Sequence, residues 1–258
     1  MRKKRLWAVV FIFSLLFFTK NTLAEPVFPR LIAHAGGEVR GIQYSNSFEA
    51  LEFNYALGIR YFEIDLNWTS DGQLVAIHDW ASTYKSQFVV DDDSRVPSLD
   101  EFRALISKAG LAQMDIDELI RWLIDKRDAY LVTDVKSNNV KAISLIAKKY
   151  PSAIDKIIPQ IYNFDEYTEA VRLGYKDIIL TIYKMEIDEL SQIDVFCTKN
   201  KVFAVTMPVS AAVNSPLAVL LNRLGVKVYA HTVNDFKMFS RLRSFGVYGI
   251  YTDKLRLP

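Results

Sequence analysis

From about residue 129 onward, short apolar runs rich in Ile, Val, Leu and Tyr alternate with segments whose apolar positions recur every three or four residues. The first kind of pattern predicts buried strands and the second predicts helices with one apolar face. Strands are expected at 130–135, 157–161, 177–182, 202–205, 228–231 and 249–251, with helices at 140–149, 165–173, 186–198, 210–224 and 235–245. The earlier chain supplies a strand at 31–34 and a helix capped by Asn46 or Ser47 that runs to about Leu57, with Glu49 placed for a capping box. A strand at 61–66 follows, and Asp71-Gly72 suits a tight hairpin that returns through 74–77. Further helices are expected at 98–108 and 116–124, and an acidic loop at 84–94. Leaving out the hairpin return, eight strands alternate with helices in one domain-sized chain. The expected fold is a closed parallel α/β barrel of the TIM (β/α)8 type, with a β-hairpin inserted after strand 2.

The alternation along 61–66 puts Glu63 and Asp65 on one face of a strand and Phe62, Ile64 and Leu66 on the other. Neighbouring carboxylates raise each other's pKa, so they are stable together only beside a cation, a shared proton or water. Taken alone, the pair could be the solvated face of an antiparallel strand. The run YLVTDVK repeats the pattern, placing Asp134 and Lys136 two apart at the end of another apolar strand. A hard-cation site beside an anion-binding lysine then becomes the better reading. All three histidines fall at expected strand ends: His34, His78 after the hairpin return, and His231. In such barrels the carboxyl ends of the strands carry the site. Gly36 and Gly37 follow His34 in a turn able to approach a ligand closely. Gln160, Tyr162, Tyr183 and Met207 share these ends, and their pattern assigns them no chemistry.

Composition narrows the setting. The formal charge of +2 conceals an asymmetry: residues 1–24 hold five Lys or Arg and no acid, so the chain from Glu25 on is net acidic. A polyanionic nucleic-acid partner is therefore disfavoured. Arg2-Lys3-Lys4-Arg5, the apolar run 6–18 and Thr22-Leu23-Ala24 have the layout of a signal peptide. The expectation is a signal at 1–24, a barrel domain at 25–258, and an exported, periplasmic or secreted protein. Without cleavage the same segment would leave a membrane-anchored form, close to a lipid surface. A single cysteine, Cys197, excludes an internal disulfide and a cysteine metal cluster, and its helical context predicts burial.

Taken in order, these residues resemble the glycerophosphodiester phosphodiesterase family, a branch of the superfamily that includes phosphatidylinositol-specific phospholipase C and spider-venom sphingomyelinase D. His34 with Gly36 is similar to the family's His-Arg-Gly opening, Asn46 to its Glu-Asn-Thr stretch, and Glu63-Ile64-Asp65 to its Glu-x-Asp metal pair. Thr69-Ser70-Asp71-Gly72 resembles its turn, His78-Asp79 its second histidine, and Pro97 to Glu101 its loop into the next helix. Thr232-Val233-Asn234 and Gly249 to Asp253 resemble its closing motifs. Four positions depart. Ala35 stands where the family has a phosphate-binding arginine, Ser45 where it has a glutamate, and His231 where it often has tryptophan. Asp134-Val135-Lys136 replaces Glu-x-Lys, as in sphingomyelinase D.

The resemblance implies a metal-dependent phosphodiester hydrolase. Glu63, Asp65 and Asp134 would hold one divalent cation, and an all-oxygen set favours Mg2+ or Ca2+. His34 and His78 would be the general acid and base, with Lys136, Gly36, Gly37 and His231 binding substrate. The substrate would be a small-molecule glycerophosphodiester, a lipid headgroup or a phosphodiester-linked envelope glycan. A water nucleophile gives hydrolysis, whereas a neighbouring substrate hydroxyl gives a cyclic phosphate first. A catalytically silent metal- or phosphodiester-binding barrel is the alternative from another class.

Overall fold

The computed structural model describes residues 29–90, 92, 94–185 and 190–256. The expected signal segment, and the start of the helix expected at 186–198, lie outside the described residues.

Strands β1 (Leu31–Ala33), β2 (Tyr61–Trp68) and β3 (Leu74–Ala76) open the chain. The two-residue strands β4 (Phe88–Val89) and β5 (Ile106–Ser107) follow, then β6 (Tyr130–Val135), β7 (Ile157–Ile161), β8 (Ile179–Thr181), β9 (Ala204–Pro208), β10 (Val228–His231) and β11 (Gly249–Thr252). The main sheet runs β1-β11-β10-β9-β8-β7-β6-β2-β3, and a further β1–β2 pairing closes it. Within this sheet, among the described residues, only β3 runs antiparallel, so eight parallel strands form the expected barrel with its hairpin. Between them pack α1 (Phe48–Ala56), α2 (Ser82–Gln87), α3 (Leu99–Arg103), α4 (Ile116–Asp125), α5 (Asn139–Lys149), α6 (Phe164–Arg172), α7 (Ile193–Lys199), α8 (Val209–Asn214), α9 (Leu217–Arg223) and α10 (Phe236–Ser244).

The period of two along each strand divides the core. Outward residues such as Phe62, Ile64 and Leu66 join the layer between sheet and helices, where Cys197 is also buried. Inward residues Ile32, Val132, Ile158, Ile179, Phe203, Ala204 and Tyr229 fill the lower barrel. Above them the inward positions turn polar, at Glu63, Asp134, Gln160, Thr181 and His231. The barrel is therefore plugged below and open above.

Several local expectations are corrected. The helix expected at 210–224 is two helices, because Pro216 can neither donate to the preceding turn nor fit beside it. The helix expected at 98–108 ends at Arg103, since Ile106–Ser107 pairs with Phe88–Val89 instead. The acidic loop expected at 84–94 contains the end of α2 and β4. Ser47 caps α1, but Glu49 makes no capping box; its carboxylate accepts from the Ala112 amide at 2.8 Å. The strand expected at 202–205 runs Ala204–Pro208, and a 3-10 turn at Pro151–Lys156 had no counterpart in the pattern. The insertion after β2 has its own small core of Val75, Ile77, Tyr84, Phe88 and Phe102.

Candidate active site

Parallel pairing of β2 with β6 sets Glu63 beside Val132 and Asp65 beside Asp134. The inward alternation of both strands then brings Glu63, Asp65 and Asp134 together, with one carboxylate oxygen from each within 4.8 Å of the others. All three are buried. The Ala35 amide donates to Glu63 Oε2 at 2.8 Å, while Oε1 has no protein partner. Burial, with the charge of Asp65 second, pushes the Glu63 carboxyl well above the usual carboxylate range. Asp134 is pushed up as well, by burial that the charge of Lys136 only partly offsets. Lys136 Nζ lies 3.1 Å from Asp65 Oδ1 and 2.5 Å from Asp134 Oδ2, and Tyr162 donates its hydroxyl to Asp134 Oδ1. Asn46 braces Asp65 twice: its side-chain nitrogen donates to Oδ2 at 3.1 Å and its oxygen accepts the Asp65 amide at 3.0 Å. Three converging carboxylates, one with a bare buried oxygen, outnumber the one ammonium of Lys136 beside them and fit a hard divalent cation.

A cavity of about 420 Å3 opens over this cluster. His34, His78, Lys136 and His231 all line it, as do Glu63 and Asp134, whereas Asp65 lies buried beneath Lys136. His34 Nδ1 sits 2.8 Å from Asp253 Oδ1, and His78 Nδ1 sits 2.8 Å from Asp79 Oδ2. An ionised carboxylate only accepts, so each pairing places the proton on Nδ1 and leaves Nε2 for chemistry. Burial works to lower the His34 pKa, but the bond to Asp253 and the charges of Glu63, Asp253 and Asp65 outweigh it and hold the imidazole above its ordinary value. Asp79 is fixed by the Ala81 and Thr83 amides and the Thr83 hydroxyl; these bonds and His78 overcome its burial and hold its carboxyl well below the usual range. His231 behaves oppositely: its Nε2 is buried with no protein partner, and burial, with His34 and Lys136 adding to it, lowers its pKa to about 4.

Gly36 and Gly37 do not line the cavity and are not brought together with the other expected substrate-binding residues. Both are buried against α1: Asn54 Nδ2 donates to the Gly36 carbonyl at 2.9 Å, and a Cβ on Gly37 would meet that nitrogen at 2.5 Å. The β1–α1 turn packs against a helix with positive φ at both positions, a conformation glycine adopts without strain.

Four residues at the site were given no role in the sequence reading. Asp253 ends the last barrel strand and was legible as an acid at a strand terminus. Asp79 directly follows His78. Tyr44 stands between the two histidines, with ring centroids 4.5 Å from His34 and 5.0 Å from His78. It lies on a loop in which Ala35, Tyr44 and Asn46 all adopt positive φ, a strained clustering that no residue pattern announces. Lys184 lines the cavity from the end of β8, and its only signal is a charge just past a strand.

The glycerophosphoryl diester phosphodiesterase family model matches residues 34–257. Among solved structures, a glycerophosphodiester phosphodiesterase from Thermotoga maritima is similar at 19% identity and a TM-score of 0.67, over 87% of this chain and 94% of that one. One from Parabacteroides distasonis is 19% identical with a TM-score of 0.66, over 87% and 92%. An Oleispira antarctica phosphodiesterase, solved with the product sn-glycerol-3-phosphate, is 17% identical with a TM-score of 0.65, over 87% and 93%. At these identities the structures attest the barrel, while the family model spans nearly every described strand and all three histidines. The chain belongs to the glycerophosphoryl diester phosphodiesterase family.

Proposed function

We propose that this phosphodiesterase hydrolyses diesters with a substituent larger than glycerol's small partners, such as a lipid headgroup or an envelope glycan, with Mg2+ or Ca2+ held by Glu63, Asp65 and Asp134. The observation that carries the catalytic part is that Glu63, Asp134, Lys136 and two carboxylate-backed histidines line one cavity, with Asp65 buried beside them in the same carboxylate cluster. When bound, the cation supplies Lewis-acid stabilisation of charge on the phosphoryl oxygens. Lys136 binds the same anion from the β6 side. One of His34 and His78 takes the proton of the attacking water as its oxygen bonds to phosphorus; the other gives a proton to the departing alkoxide as its P–O bond breaks.

The size of the substrate follows from Ala35. An alanine there lacks a charge-assisted, often bidentate hydrogen bond worth roughly 1.5–3 kcal/mol, so binding energy must come from elsewhere on the substrate. A second cavity, of about 610 Å3, shares Tyr44 with the first and runs between Ile42, Phe88 and Leu111. It is a suitable berth for a bulky substituent. The N-terminal signal pattern supports export, which would place the enzyme among such molecules.

The test compares kcat/KM for glycerophosphocholine, a phospholipid and a glycerol-phosphate polymer, in the wild type and in Ala35→Arg. The larger substrates should lead in the wild type, with the small diester gaining in Ala35→Arg; a wild type that prefers the small diester sinks the substrate reading. Phosphorus NMR of the first product separates hydrolysis from cyclisation. An exported product whose sequence begins near Glu25 supports the signal, and one that retains residues 1–24 refutes cleavage.

A further inference from the structure

We propose that Lys184 is a second anion-binding cation of the site, supplying from the β8 wall the positive charge that Ala35 does not supply from the β1 wall. The inference rests on the phosphodiesterase reading above and deepens it.

Around the barrel β8 lies opposite β1, so Lys184 stands across the barrel from the turn after β1 that carries the buried Ala35. The Lys184 ammonium is positioned, not merely tethered. It donates to the Lys136 carbonyl at 3.0 Å and lies 4.2 Å from the centre of the Tyr162 ring and 5.6 Å from that of Tyr183. Lys136 Nζ lies 5.8 Å from the same Tyr183 ring, so the two ammonium groups share one aromatic support. Both line the catalytic cavity. An ammonium has three donors and Lys184 spends one on a carbonyl, leaving others for a ligand.

Charge balance gives this placement a purpose. Three carboxylates, a dication and Lys136 sum to zero; of His34 and His78, the protonated acid is neutralised by its aspartate, while the neutral base leaves its aspartate uncompensated. A phosphodiester anion entering that site meets no net attraction. Lys184 offsets the uncompensated carboxylate at the mouth, as a guanidinium at position 35 would have done. Lys184 is exposed, so salt screens its pull on an anion more than that of the partly buried Lys136.

The bland alternative is that Lys184 only braces the β6–β8 rim through Tyr162 and the Lys136 carbonyl. Lys184→Met, which keeps the stem, and Lys184→Arg, which keeps the charge, separate the two roles; Lys176→Ala, far from the mouth and paired with Asp155, serves as control. Calorimetric titration of the full protein with inorganic phosphate in Mg2+ should show Kd raised about tenfold in Lys184→Met, the loss of one charge-assisted hydrogen bond. KM for the diester should rise by a similar factor with little change in kcat, while Lys184→Arg and Lys176→Ala stay close to wild type. Phosphate binding equal to wild type in Lys184→Met, or a lowered Tm without a change in Kd, overturns the proposal. An active wild type with an unaffected Lys184→Met refutes Lys184 alone. A wild type that neither binds phosphate nor turns over any diester refutes the phosphodiesterase reading, and this inference with it.

Discussion

The lower and upper halves of the barrel interior come from the same strands by the same alternation, yet they are built to opposite ends. Below, Ile32, Val132, Ile158 and Ile179 fill space, Tyr61 stacks on Tyr130 at 4.7 Å, and the Tyr229 hydroxyl finds the Pro29 carbonyl at 2.5 Å. Above, Glu63 Oε1, Thr181 Oγ1 and His231 Nε2 are buried with no protein partner. Each unmet polar atom of that sort costs about 1–3 kcal/mol. The lower half therefore carries stability and the upper half gives some up to keep groups ready for a ligand. Substitutions in the two halves should separate stability from activity.

The largest contrast is between Glu63→Gln and Ile158→Ala. The amide keeps an acceptor for the Ala35 N–H but removes a charge that burial disfavours. Glu63→Gln should lose cation binding and fall below about a thousandth of wild-type turnover, with Tm unchanged or higher. Ile158→Ala empties part of the plug and should lose about 2–5 kcal/mol of stability while the folded fraction keeps its turnover. Calorimetry of metal binding, thermal melts and kinetics on both variants decide it. Full activity of Glu63→Gln in the presence of chelator would break the comparison.

The same division explains what was legible in the sequence. Period-two alternation marks faces wherever they are, so Glu63 and Asp65 could be read as one face before any fold was known, whereas the meeting of Asp134 with them was implied by the family resemblance. The barrel was legible because its pairing is between neighbours in the strand and helix order. Pairing between Phe88–Val89 and Ile106–Ser107 was not, because nothing local links two such short strands. Tyr44 reaches the histidines through a loop whose course depends on positive φ at non-glycine positions and on Gln87 holding the Tyr44 carbonyl at 2.7 Å. That Gly36 and Gly37 pack on α1 was illegible for a related reason: a tight glycine turn has the same sequence whether a ligand or a helix lies against it.

A second contrast lies within the upper half. His34 belongs to the barrel and is buried against Asp253, whose other oxygen accepts from Asn234 at 2.5 Å; His78 belongs to the insertion and is more exposed. If the two are acid and base, each His→Ala change should lower kcat by about 10²–10⁴. They should differ in stability, since His34→Ala also strands a buried Asp253 and His78→Ala leaves Asp79 to Thr83 and its amides. A kcat within about twofold of wild type in either variant would remove that histidine from the chemistry.

The smallest effect belongs to His231, which links the unmet polar atoms of the upper half to pH. Its native pKa, lowered to about 4, lies below the ordinary value of 6.5. Above pH 6.5 neither the native nor the unfolded state is protonated there, and His231 contributes no pH dependence. As pH falls from 6.5 towards 4, the unfolded chain gains a proton that the native site refuses, and stability declines; below about 4 both states are charged and the loss is complete. His231→Gln removes this contribution while keeping a polar side chain. Its Tm should therefore fall less than that of the wild type between pH 6.5 and 4, by about 2–4 °C for each kcal/mol of linkage removed. Carboxylates titrating in the same window affect both proteins alike, so the difference between the two melting profiles isolates the histidine. Parallel profiles would mean that His231 takes up its proton as readily in the folded barrel as in the open chain, and that its bare nitrogen is no burden to the upper half.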